Sequence, residues 1–157
     1  MTLIAVPDHA ASHQATVVAI GGRAILIEGE PASGKTSLAL ALIDRGAVLV
    51  GDDGVLLADM AGTLWAFPHP NTRGMVEIRN VGIVTMNAAP APVALAITLT
   101  HDAPRHIDGV AQQLIGGVPV PSLTLWPDTP VIALRTEWAL REHGLPLSGA
   151  IGDSSPR

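Results

Sequence analysis

One stretch of eight residues, Gly29-Glu30-Pro31-Ala32-Ser33-Gly34-Lys35-Thr36, has the residue types and spacing of a phosphate-binding loop, G-x-x-x-x-G-K-[ST]. Gly29 and Gly34 permit a tight turn and let backbone N–H groups approach anionic oxygens. Lys35, the sole lysine of the chain, brings a point charge to the terminal phosphates, and the Thr36 hydroxyl suits a hard cation such as Mg2+. The flanks matter as much as the string. An apolar run, Ala24 to Ile27, precedes the loop and a helical pattern, Ser37 to Arg45, follows it. Strand, loop and helix N-terminus together aim successive N–H groups at one anion.

Phosphoryl transfer needs more than a cradle: ligands for a metal ion, and a group that accepts the nucleophile's proton. Asp52 and Asp53 follow a short apolar run, Ala47 to Val50, and so stand at the carboxyl end of a strand, where ligands collect in open α/β sheets. Two adjacent acids there divide the work: one binds metal or holds geometry, and the other, its pKa raised by the like charge, takes a proton. The bland alternative is a solvated Asp-Asp-Gly turn, and the neighbouring loop weighs against it. Glu77 sits in a strand-like run, where an inward carboxylate needs a cation; Mg2+ shared with Thr36 supplies one, whereas an outward one is ordinary. The six histidines include no pair at metal-ligand spacing on a helix, and Trp65, Trp126 and Trp138 read as packing residues.

The composition bounds the rest. A chain of 157 residues without cysteine is most simply one domain with no disulfides or thiolate metal sites. A net charge of −5 with nine Lys and Arg argues against a nucleic-acid surface. The first 15 residues carry no basic cluster ahead of an apolar core, and no run reaches the roughly 18 apolar residues of a membrane span, so a cytoplasmic protein is expected.

The elements that must position these groups follow from the punctuation. Ala15 to Ile20 and Ala24 to Ile27, around Gly21-Gly22-Arg23, predict a β-hairpin leading into the loop, which points to a mixed sheet. Thr36 to Arg45 predicts a helix capped by Gly46. A second hairpin is expected at Val55 to Ala58 and Thr63 to Phe67, a third across Arg79-Asn80, a strand at Val93 to Thr100 and another at Val118 to Leu125. Ile107 to Ile115 is ambiguous, with a short helix as one option, and Val131 to His143 predicts a closing helix. The organisation expected is a flexible N-terminus over 1–12, one domain over 13–146 and a flexible tail over 147–157.

Taken together, His13, the loop Gly29 to Thr36, the run Arg45 to Asp53 and the run Val76-Glu77-Ile78-Arg79-Asn80-Val81-Gly82-Ile83 resemble the catalytic domain of HPr kinase/phosphorylase, most closely the short alphaproteobacterial form that lacks the N-terminal domain. The resemblance covers about residues 12–86. It implies an α/β P-loop kinase of the phosphoenolpyruvate carboxykinase-like type, with a mixed sheet and β-hairpins. It implies ATP and Mg2+ as cofactors and a serine of an HPr-like phosphocarrier protein as acceptor, with no nucleic-acid or membrane partner and a homo-oligomer, hexameric in longer relatives, as an open possibility. By position, the resemblance gives Lys35 the β- and γ-phosphates, Thr36 and Glu77 the metal, Asp53 the serine proton, Asp52 a supporting role and His13 a place near the transferred phosphate.

Three departures qualify it. Ala32 stands where the family loop has glycine, which costs about 1 kcal/mol if the position needs positive φ. Asn80 replaces a glycine, a milder change. Trp126-Pro127-Asp128-Thr129-Pro130 lacks the basic residues that longer enzymes carry for the reverse reaction, so weak or absent phosphorylase activity is expected. Two other readings stand beside the kinase: an ATP-sensing module that transfers no phosphate, and a small-molecule kinase.

Overall fold

A computed structural model describes residues 4–147. In chain order the elements are β1 (Ala11–His13), β2 (Thr16–Ile20), β3 (Arg23–Gly29), α1 (Lys35–Asp44), β4 (Val48–Gly51), β5 (Val55–Met60), β6 (Thr63–Pro68), β7 (Met75–Ile78), β8 (Gly82–Thr85), β9 (Ala91–Leu99), β10 (Ala111–Ile115), β11 (Val118–Leu125) and α2 (Ile132–His143). The main sheet runs β1-β5-β6-β9-β3-β2-β4; β11 lies against the second half of β9 and β10 lies outside β11. It is mixed. β3 pairs parallel with β9, and β9 with β11, while β2 is antiparallel to both β3 and β4.

Turn chemistry sets much of this. Gly21 and Gly22 both have positive φ, 58° and 83°, so two residues suffice to return β2 onto β3, with Ile20 opposite Arg23. Gly116 and Gly117, at 57° and 82°, do the same for β10 and β11. Helix α1 ends where Gly46 turns left-handed at φ 108°, donating to the Ile43 carbonyl.

The central strands are buried on both faces, and the alternation of their side chains feeds two cores. Val17, Ala19 and Leu26 point to one side, against β5, β6, β10 and β11, because the sheet curls over itself. Val18, Ile25 and Ile27 point to the other, where Leu38 and Leu42 of α1 and Leu140 of α2 cover them. Arg45 at the end of α1 is tied to Glu137 of α2 by two bonds of 2.8 Å. That hydrogen bonding, and then the charge of Glu137, raises the Arg45 guanidinium above its usual pKa, so it stays cationic at any working pH. The pair β7–β8 stands apart as a two-stranded ribbon.

Three expectations need correction or limits. Ala11 and Ser12 belong to β1, paired with Leu57 and Leu56, so the chain is in register with the sheet before residue 13. The short helix entertained for Ile107 to Ile115 is instead strand β10, because its last residues continue through a Gly-Gly turn into β11. The tail expected over 147–157 falls, apart from Leu147, outside the described residues. Among the described residues no helix is long and apolar enough to cross a membrane.

Candidate active site

Strand β3 delivers the loop. Its buried run Ala24 to Ile27 ends in Glu28 and Gly29, after which the chain turns tightly, with Ser33 N–H donating to the Glu30 carbonyl at 3.1 Å. Gly29 has φ 153°, and a Cβ there would lie 2.6 Å from Ser33 Oγ and 3.1 Å from the Leu99 carbonyl oxygen. Only glycine fits that approach. Gly34 opens α1 in the left-handed region, φ 100°, and no side chain caps the helix. The first N–H groups of α1 thus point into the loop without an acceptor among the described residues. Ala32 is left-handed too, at φ 64°.

Lys35 Nζ donates to the carbonyls of Gly29 at 2.8 Å and Glu30 at 3.2 Å, which folds its ammonium back over the loop. Thr36 is fixed on the other side. Its hydroxyl donates to Asp52 Oδ1 at 2.8 Å, and the same oxygen accepts from the hydroxyl of Thr16, 3.2 Å away. Thr16 is buried at the start of β2 and its hydroxyl in turn accepts from the Asp53 N–H at 3.2 Å. Asp53 itself turns at φ 63° with its carboxylate exposed and unbonded among the described residues. Aspartate tolerates that conformation better than most side chains, and backbone strain held in place by neighbours is a recurrent mark of a working site.

His13 and Glu28 form a second pair: His13 Nε2 donates to Glu28 Oε2 at 2.7 Å, both partly buried. The pair links β1 to the residue just before the loop, and His13 lies opposite Val55, two residues beyond Asp53. Sequence reasoning missed both Glu28 and Thr16. A charged residue between a buried strand and a glycine loop was the available signal for Glu28; a threonine inside an apolar strand offered none.

Of the residues singled out from the sequence, the structure joins Thr36, Asp52 and Asp53 through Thr16, and sets Lys35 across the loop. It does not join Glu77 to them. Glu77 lies on β7 opposite Ile83, on the exposed face of the ribbon, and makes no hydrogen bond or ion pair among the described residues. The other face, Val76 with Val84, packs into the core beside α1.

The residues present suit a triphosphate with Mg2+. The loop leaves Ser33 Oγ buried with no partner among the described residues, and a side chain at position 29 would fill the cradle. Thr36 and Asp52 bring two hard oxygens within 2.8 Å, the donor chemistry Mg2+ takes. No three His, Asp or Glu side chains cluster as a metal cage among the described residues. Mg2+ commonly needs only one or two carboxylates, with phosphate and water oxygens completing its shell.

Beside the loop, two hollows of about 340 and 530 Å3 are walled by loop residues on one side and by Pro127 and Asp128 on the other. Asp128 accepts from His101 there.

Known proteins resemble this chain in sequence and in fold. The family model of the HPr serine kinase C-terminal domain matches residues 8–90. The HPr kinase/phosphorylase of Mycoplasma mycoides subsp. mycoides is 31% identical over 108 residues, 62% of this chain and 34% of that protein. That of Clostridium beijerinckii is 44% identical over 68 residues, 43% of this chain and 22% of the relative. The matched stretch therefore spans about a third or less of these curated relatives. A solved structure of the Hpr(Ser) kinase/phosphatase from Coxiella burnetii superposes with a TM-score of 0.75 at 27% identity, covering 85% of this chain and 95% of that one.

Proposed function

The chain belongs to the HPr serine kinase C-terminal domain family, whose model spans more than half of it, and on that premise we propose that it is an ATP- and Mg2+-dependent protein-serine kinase. Its acceptor is a serine of an HPr-like phosphocarrier protein, and it works in the cytoplasm. The observation that carries the reading is the single oxygen, Asp52 Oδ1, on which the loop hydroxyl of Thr36 and the strand hydroxyl of Thr16 converge. This ties the phosphate loop to the acidic turn.

In the reaction, the substrate serine oxygen attacks the γ-phosphorus, its bond to the β-phosphate oxygen breaks, and ADP leaves. Gly29 to Gly34 and the first N–H groups of α1 hold the β- and γ-phosphates, and the Lys35 ammonium moves from the Gly29 and Glu30 carbonyls to phosphate oxygens. Thr36 and Asp52, with Glu77 if the ribbon brings it to them, would hold Mg2+, which when bound would neutralise charge on the transferring group. Asp53, unbonded and exposed beside this point, takes the serine proton, while His13, fixed by Glu28, faces the transferred phosphate. Reverse phosphorolysis is weak or absent. The segment walling the loop carries the Asp128 carboxylate and no cation, which repels an incoming inorganic phosphate.

The test is incubation with labelled ATP, Mg2+ and HPr, followed by mapping of the label. Label on one serine of HPr is expected, together with no phosphate-dependent release. Asp53→Asn should lower turnover by about 10²- to 10⁴-fold while leaving Mg-ATP affinity unchanged. One observation favours the ATP-sensing alternative: Glu77 stands outside the hydrogen-bonded network. Label that never leaves ATP, with Mg-ATP bound tightly, would establish that alternative.

A further inference from the structure

The nucleotide reading leaves open where the rest of the nucleotide goes, and the sheet answers it. Because β4, β3, β9 and β11 run parallel to one another, their carboxyl ends share one rim. Along it stand, in order, the acids after β4, Thr16 at the start of antiparallel β2, the phosphate loop after β3, Thr100 after β9 and Trp126 after β11. Asp52, Asp53 and the Thr16 hydroxyl that contacts Asp52 lie on the β4 side of the loop. A triphosphate whose terminal phosphate meets Asp52 and Asp53 must send its sugar and base the other way, toward β9 and β11.

That side is furnished for them. With strands about 4.8 Å apart, Trp126 stands roughly 10 Å along the rim from Gly29. Its indole N–H donates to the Ala103 carbonyl at 2.8 Å, which anchors one edge, and the side chain remains 52% exposed. Its ring borders a hollow of about 620 Å3, closed by Arg105 and by Arg135 of α2. Neither guanidinium makes an ion pair among the described residues, although the chain is acidic overall. Between this hollow and the loop lies the one lined by Thr100, His101, Asp102 and Asp128, where hydroxyl, imidazole and carboxylate groups suit ribose hydroxyls and the two carboxylates disfavour a further phosphate. Charge thus orders the ligand: phosphates on the loop, hydroxyls beside His101 and Asp128, and a planar ring at Trp126.

We infer that the hollow bounded by Trp126, Arg105 and Arg135 is the base site of the nucleotide, with the ring stacked on the indole and flanked by guanidinium planes. Aromatic faces and guanidinium groups both stack on bases, tolerantly of base identity. The inference rests on the nucleotide reading of the loop.

Titration calorimetry of the full chain with ATP and with inorganic tripolyphosphate, each with Mg2+, separates the two. ATP should bind more tightly than tripolyphosphate. Trp126→Ala should weaken ATP about tenfold and leave tripolyphosphate unchanged, and Trp126→Phe should retain most of the ATP affinity. In the native chain, nuclear Overhauser transfer should connect the adenine ring protons to the Trp126 indole, a readout that needs no variant to fold. Unchanged ATP affinity in Trp126→Ala, equal affinity of the native chain for both ligands, or the absence of that Overhauser contact would overturn the base site and leave the loop standing. Failure of both ligands to bind would overturn the loop reading and this inference with it.

Discussion

The phosphate loop with its β4 neighbours and the β7–β8 ribbon carry the two halves of the proposed metal site, and they are held in different ways. Around Asp52, side chains far apart in sequence are wired by hydrogen bonds of 2.8 to 3.2 Å onto strands buried on both faces. Among the described residues the ribbon has no such wiring. It is two strands of four residues, seated on α1 through Val76 and closed by Met86 N–H on the Gly74 carbonyl, with Glu77 turned to the exposed side. Two-stranded ribbons are marginal on their own. The contrast teaches that the hydrogen-bonded half of the proposed site is built into the core, while the metal-ligand role proposed for Glu77 depends on how firmly a small appendage is seated.

Breaking the wired half should have the largest effect. Asp52→Ala removes the acceptor of two hydroxyls, one of them on buried Thr16, and takes away the charge beside Thr36. Phosphate transfer should fall about 10³-fold, near 4 kcal/mol in the barrier, and the melting temperature should drop by several degrees. Asp52→Asn, which keeps an acceptor oxygen, should recover most of the melting temperature and little of the transfer. Recovery of both would show that the charge is not used.

On the ribbon the two properties should separate. Glu77→Gln touches an exposed side chain without partners among the described residues, so stability should move by less than about 0.5 kcal/mol, read by thermal melting. Transfer should fall about 10²-fold, and nucleotide affinity without Mg2+ should not change. Transfer at the native rate would remove the ribbon from the site. Val76→Ala works from the opposite face: losing buried methyls should cost about 2 kcal/mol and speed hydrogen exchange in β7 and β8 before the central strands are affected.

The same division runs through what the sequence made legible. The loop, its strand and its helix could be read because glycine, lysine and threonine fall at fixed offsets and the flanks have clear periods. Gly21-Gly22 announced the first hairpin by its turn chemistry alone. Gly116-Gly117 is the same signal, but β10 is an edge strand with four of its five residues exposed, so no apolar alternation led up to it. The acidic turn was legible as a pair of carboxylates. Its wiring was not, because Thr16 opens β2 while Asp52 follows β4, and only the register of those two strands brings the hydroxyl to the carboxylate. Glu28 was hidden likewise: its meaning depends on His13, which reaches it across the sheet. Trp126 read as packing, since nothing in its neighbours along the chain tells that β11 ends on the same rim as the loop.

The smallest change sharpens the comparison within the loop itself. Ala32 holds φ 64° where a side chain with a Cβ is strained, and it is exposed, so no packing compensates. Left-handed alanine costs about 1 to 2 kcal/mol relative to glycine, and glycine returns part of that by loosening the unfolded chain. Ala32→Gly should therefore stabilise the protein by no more than about 1 kcal/mol, a shift of roughly 2 to 4 °C in the melting temperature. Because the present loop already adopts the left-handed turn with alanine in place, nucleotide affinity should change by less than about threefold, under 1 kcal/mol. A large gain in affinity on Ala32→Gly would mean that the cradle is not preformed after all, and that the loop, like the ribbon, is a part that must be brought into place.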